Sequence, residues 1–124
     1  MLFFGGFMGK IYTNENQILL KELITIYQPR FVDWLSYQIT RSNTLTLHHI
    51  DKKSNGGVLS VYNAALLTKK AHRALNMCES RDIYLYIIIN EFFREIIELA
   101  GPLTTEFEEE SRELKKALTR TLYK

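Results

Sequence analysis

Thr44-Leu45-Thr46-Leu47-His48-His49-Ile50, followed by Lys53-Ser54-Asn55-Gly56-Gly57, is the stretch on which the fold of this 124-residue chain turns. Polar and apolar residues alternate through its first half and several are β-branched, the pattern of a half-buried strand. Asn55-Gly56-Gly57 supplies the positive φ angles that a hairpin connection needs. Val58-Leu59-Ser60-Val61-Tyr62 is predicted to return as a short second strand. From Asn63 to Met77, the residues Ala64, Leu66, Leu67, Ala71, Ala74 and Leu75 fall at helical spacing. Strand, loop, strand and helix therefore follow one another over residues 45–77 as a ββα unit.

The flanks read as helical. Ile18, Leu19, Leu20, Leu23, Ile24 and Tyr27 predict a helix over 14–27, capped by Asn14 and stopped by Pro29. Phe31, Trp34, Leu35 and Ile39 predict a second over about 30–39, which Arg41-Ser42-Asn43 ends. Residues 1–12 are aromatic and glycine-rich and suit either an edge strand or a loose arm. Ser80 and Asp82 can cap a helix that runs to Ala100 and stops at Gly101-Pro102. That helix is apolar on most sides, so it is expected at the centre of the fold or at a homodimer interface. Thr105 and Glu108 form a capping box for a last helix, whose early glutamates and late Lys115, Lys116 and Arg120 complement its dipole. The expectation is one α+β domain over 1–124, with the ββα unit embedded among helical flanks at 14–40 and 80–122.

Composition narrows the function classes. Hydrophobic content of 46% and charged content of 24% are ordinary for a globular domain. The longest apolar run, Ile83 to Ile89, is too short to span a bilayer, and the N-terminus lacks the basic start of a signal peptide. A single cysteine, Cys78, excludes an internal disulfide and a Cys-based zinc knuckle. A cytoplasmic protein with no membrane partner is the expectation. Net charge is only +2, but residues 1–80 carry nine Lys/Arg against five Asp/Glu and residues 81–124 carry seven against nine. All three histidines lie in the basic part, which suits a phosphate-facing site.

Those histidines carry the chemistry. Neighbouring strand residues point to opposite faces, so His48 and His49 are expected to take different roles. His72 and Asn76 are i and i+4 on a helix and share a face. His48, His72 and Asn76 are thus candidate ligands for one divalent ion, Mg²⁺, Mn²⁺ or Zn²⁺. His49 is the candidate general base for a water, and Asn63 the residue that orients its imidazole. Lys52, Lys53, Lys69, Lys70 and Arg73 are candidate nucleic-acid contacts, set against the plainer reading of a solvated basic face.

Leu47-His48-His49-Ile50, then Gly56-Gly57, then Asn63 through Leu66-Leu67 to His72 resembles the HNH endonuclease motif over about residues 45–76. The spacing of nine from Asn63 to His72 is that motif's own. The resemblance implies a ββα-metal fold and a metal-dependent endonuclease hydrolysing phosphodiester bonds of nucleic acid, DNA first. By the same match His49 is the general base, His48 and His72 are metal ligands, Asn63 is the middle Asn, and Asn76 sits where some members keep a further ligand. The alternative is a catalytically inactive binding protein on the same scaffold, for example a small mobile-element inhibitor of a nuclease or other protein partner.

Overall fold

A computed structural model of the chain describes residues 11–27, 32–41, 44–52 and 56–123. The fold is α+β. Helix α1 spans Ile11–Ile26, strand β1 Leu45–His49, strand β2 Ala64–Thr68, helix α2 Lys69–Arg81, helix α3 Ile83–Leu99 and helix α4 Thr105–Leu122. The two strands pair antiparallel, with Leu45 opposite Thr68 and His49 opposite Ala64.

The second strand lies six residues beyond the predicted one. Residues 58–62 form a loop in which Val58 and Tyr62 are more than three-quarters exposed, while Ala64, Ala65, Leu66 and Leu67 are all buried. Ala and Leu favour helix, and their run shows no alternation, because this strand is covered on both faces. Helix α2 therefore begins at Lys69 rather than Asn63. Thr68 caps it, its hydroxyl accepting from the Ala71 N–H at 3.1 Å.

The expected helix over 30–39 is absent among its described residues. Val32 bridges to Ile39, and a tight turn lies between them. Asp33 explains it. Its Oδ1 accepts from the N–H of Leu35 at 2.8 Å and of Ser36 at 3.4 Å, an arrangement that competes with helix. Tyr37 then adopts a left-handed φ of 57°. The Oδ2 of Asp33 accepts from both the backbone and the hydroxyl of Thr68, tying this turn to the cap of α2. The Trp34 N–H donates to the Leu66 carbonyl at 2.8 Å, so β2 is held on its outer edge as well.

The remaining differences are at helix ends. Helix α1 starts at Ile11, which places Asn14 inside it rather than at its cap. Thr104, not Thr105, caps α4, accepting from the Phe107 N–H. Asp82 caps α3 as expected, accepting from the Leu85 N–H, and Ala100 closes that helix with φ 51° just before Gly101. The expected edge strand or arm at 1–12 lies outside the described residues for positions 1–10, as do Pro29, Phe31, Ser42, Asn43 and Asn55.

One hydrophobic cluster draws on all four helices and β2: Leu23 and Ile24 of α1, Leu66 and Leu67 of β2, Leu75 of α2, Phe92, Phe93 and Ile96 of α3 and Leu118 of α4, with Trp34 from the turn and Leu47 of β1 packed against it. Tyr27 packs edge-on to Trp34 with centroids 4.9 Å apart. Helix α3 buries Tyr86, Ile89, Phe93 and Ile96 on one face and leaves Tyr84, Ile87 and Ile88 exposed on the other, so it is wrapped on one side only. Among the described residues no helix is long and apolar enough to cross a membrane.

The loop from Asp51 to Asn63 has a demanding neck. Gly56 has φ 86°, the positive angle that the Gly-Gly pair is expected to supply. Gly57 is needed for another reason: a Cβ there would run into the Asp51 carbonyl. Gly57→Ala should force this backbone apart and cost about 1–3 kcal/mol, the range for overpacking a tight site. Urea unfolding checks this, and an unchanged midpoint would show that the neck is looser than described.

Candidate metal and nuclease site

Helix α2 runs back along the hairpin, and this return brings the histidines of β1 and α2 together. His48 is 3% exposed and its ring lies 5.3 Å, centroid to centroid, from that of His72, nearly perpendicular to it. Tyr86 and Phe93 of α3 pack edge-on against the same His48 ring. Each imidazole has one nitrogen engaged. His48 Nε2 is 2.9 Å from the Asn90 Oδ1, and His72 Nδ1 is 2.9 Å from the Thr46 Oγ1. Among the described residues neither ring has a second hydrogen-bond partner, so each retains one nitrogen for a ligand.

His49 faces the other way, as adjacent strand positions must. It lines a cleft of about 390 Å³ with Asn16, Gln17 and Leu20 of α1, Leu47 of β1 and Leu59 of the loop. Asn63 does not reach its imidazole. The Asn63 Oδ1 accepts from the Asp51 N–H at 2.7 Å, and its Nδ2 donates to the carbonyls of Asp51 at 3.0 Å and Val58 at 3.2 Å. Asn63 therefore acts on the backbone just after His49, closing the loop that fixes the end of β1.

The other candidates separate. Lys69, Lys70 and Arg73 are exposed on the first turns of α2, around the half-buried His72. Among the described residues none of them forms an ion pair. Asn76 is exposed one turn beyond His72. Lys52 is paired with Glu79 and so is not a free phosphate contact. Lys53 lies outside the described residues. Asp51 pairs with Arg94 of α3.

Electrostatics favour neutral rings at the histidine pair. Burial lowers the His48 pKa to about 4, helped by the charges of His72 and His49 and opposed by the Asn90 hydrogen bond and by Glu79. Burial, then the charge of His49, lowers His72 as well. Neutral imidazole is the form that binds metal. Burial also raises the Cys78 thiol, which fits an inert core cysteine.

These shifts make acid stability measurable. In the metal-free protein the unfolded chain takes up protons near the ordinary histidine pKa of 6.5, and folded His48 does so only near 4. Its contribution is complete above pH 6.5 and is lost as pH falls toward 4. Between pH 7 and 5, His48 alone should account for about 2 kcal/mol of lost stability. Urea midpoints across that window should fall in the wild type and fall less in His48→Leu. Equal slopes would contradict the buried neutral ring.

The donor set suits a borderline divalent ion. Two imidazoles and an amide favour Zn²⁺ over Mg²⁺, which prefers oxygen ligands. Among the described residues no three His, Cys, Asp or Glu side chains converge, so Asn76, water or substrate oxygens would complete the coordination. Two contributors escaped the sequence reading. Asn90 is the lone amide on the otherwise apolar buried face of α3, a visible signal. Thr46 sits two positions before His48 and so shares its strand face. Compared with protein-family models, curated proteins and solved structures, the chain matches none.

Proposed function

We propose that the chain is a metal-dependent HNH-type endonuclease that hydrolyses phosphodiester bonds of nucleic acid, with DNA the first substrate to test. The observation that carries this reading is the meeting of His48 and His72, each with one free nitrogen, beside a strand end whose next residue is an accessible His49. His48 and His72 would hold a divalent ion, with Asn76, one turn beyond His72 on the same helix, as the candidate further donor. Such an ion supplies charge stabilisation to the transferring phosphoryl group and its leaving oxygen. His49 takes a proton from the attacking water. Asn63 holds the backbone beyond His49, so that its imidazole keeps one position. Lys69, Lys70 and Arg73 neutralise backbone phosphates along the exposed side of α2, which predicts salt-sensitive binding.

The test is conversion of supercoiled plasmid to nicked or linear form by the purified chain with Mg²⁺, Mn²⁺ or Zn²⁺ in turn. Cleavage that needs an added ion and stops with chelator supports the reading. A well-folded protein that binds metal and DNA yet cuts neither DNA nor RNA points instead to the inactive binding scaffold.

A further inference from the structure

We infer that Asn90 and Thr46 are positioning residues that set which nitrogen each histidine offers to the ion: Nδ1 from His48 and Nε2 from His72. The inference rests on the metal site proposed above and concerns residues that the motif match did not mark. It follows from counting hydrogens. The Asn90 Oδ1 lies 2.9 Å from His48 Nε2, and an amide oxygen only accepts. His48 Nε2 must therefore carry the ring hydrogen, leaving its lone pair on Nδ1. Asn90 also lines a cleft with Glu79, Tyr86 and Arg94, so its amide nitrogen has an open side to face while its oxygen meets the ring.

The same count applies to His72. The Thr46 hydroxyl donates to the Leu67 carbonyl at 2.9 Å, and that carbonyl only accepts. The hydroxyl hydrogen is thereby committed. At the 2.9 Å contact with His72, Thr46 can only receive, so His72 Nδ1 carries the hydrogen and Nε2 holds the lone pair. The two rings thus have opposite tautomers, each fixed by a different element. Asn90 comes from α3 and Thr46 from β1. Helix α3 is in this way a part of the site, not only packing for the hairpin. Acceptors of this kind behind metal-binding histidines orient the ring and raise its basicity, and losing one typically weakens metal binding about 10–100-fold.

Nitrogen NMR of the imidazole rings in the labelled, metal-free full chain reads the tautomers directly, and three histidines make the spectrum assignable. The expected result is hydrogen on Nε2 of His48 and on Nδ1 of His72. Calorimetry with Zn²⁺ alone then compares variants. Asn90→Leu and Thr46→Val should each weaken binding about 10–100-fold. Asn90→Asp and Thr46→Ser, which keep an acceptor, should bind nearly as the wild type does. Reversed tautomers in the wild type overturn the inference, as does wild-type affinity in folded Asn90→Leu and Thr46→Val. If Asn90→Leu fails to fold, the wild-type tautomers and the Thr46 pair still decide between the two outcomes. Unchanged binding in the variants removes the inference and leaves the proposed function standing. A wild type that binds no Zn²⁺ removes both.

Discussion

His49→Ala should lower cleavage by about 10²–10⁴-fold, the usual contribution of a general base, while leaving Zn²⁺ and DNA binding close to wild type. The separation follows from where the ring lies. His49 lines the cleft against α1 rather than the contact between the His48 and His72 rings, and it makes no side-chain hydrogen bond among the described residues. Its removal takes nothing from the proposed metal pair except a neighbouring charge that lowers the pKa of both rings. His48→Ala, by contrast, should lose metal and stability together. Full activity in His49→Ala would place the base elsewhere. Loss of metal binding in the same variant would make His49 a ligand, which the strand geometry opposes.

Asp33→Ala is expected to have the largest effect on stability, roughly 3–5 kcal/mol, because several hydrogen bonds to one charged acceptor vanish at once. The carboxylate is 1% exposed and takes four of them, from the backbone of Leu35, Ser36 and Thr68 and from the Thr68 hydroxyl. Truncation leaves those donors in a cavity beside Trp34 with no acceptor. A domain of this size has only about 5–15 kcal/mol in total, so the variant should be close to unfolding. The loss also reaches the site. Thr68 caps α2 and His72 lies one turn later, so loosening the cap moves a proposed ligand. Asp33→Asn keeps the shape and one acceptor and should recover part of the stability. Chemical denaturation of the three proteins checks this, and a cost below about 1 kcal/mol would mean that water replaces the carboxylate.

Asp33 also shows why sequence reading failed where it did. Phe31, Trp34, Leu35 and Ile39 have helical spacing, yet a side-chain carboxylate that bonds its own following N–H groups makes a turn. Its second oxygen binds Thr68, thirty-five positions away, a contact that no local window contains. The misplaced second strand has a similar cause. Ala64-Ala65-Leu66-Leu67 is helical by propensity and becomes strand because Trp34 holds one edge, β1 the other, and apolar side chains cover both faces. Elements governed by local signals were legible. Strand β1 announced itself by alternation, α3 by length, Asp82 and the Gly101-Pro102 stop, and α4 by its charge order.

The candidate site was readable to a similar degree. The order of histidines placed His48 beside His72, and the Gly-Gly turn was placed where Gly56 has its positive φ. The spacing did not tell that Asn63 grips the backbone at Asp51 rather than an imidazole, or that Lys52 is neutralised by Glu79. Nor did it bring in Asn90, forty-two positions from His48, whose contact exists only because α3 folds against the hairpin.

The most direct measurement is an anomalous difference map from crystals of the wild-type chain soaked in Zn²⁺. The metal site proposed here requires one peak between His48 and His72, with ring nitrogens of both at about 2.0–2.2 Å. A Zn²⁺ ion found on His49 alone, or no peak between His48 and His72 in crystals that take up zinc elsewhere, would contradict it.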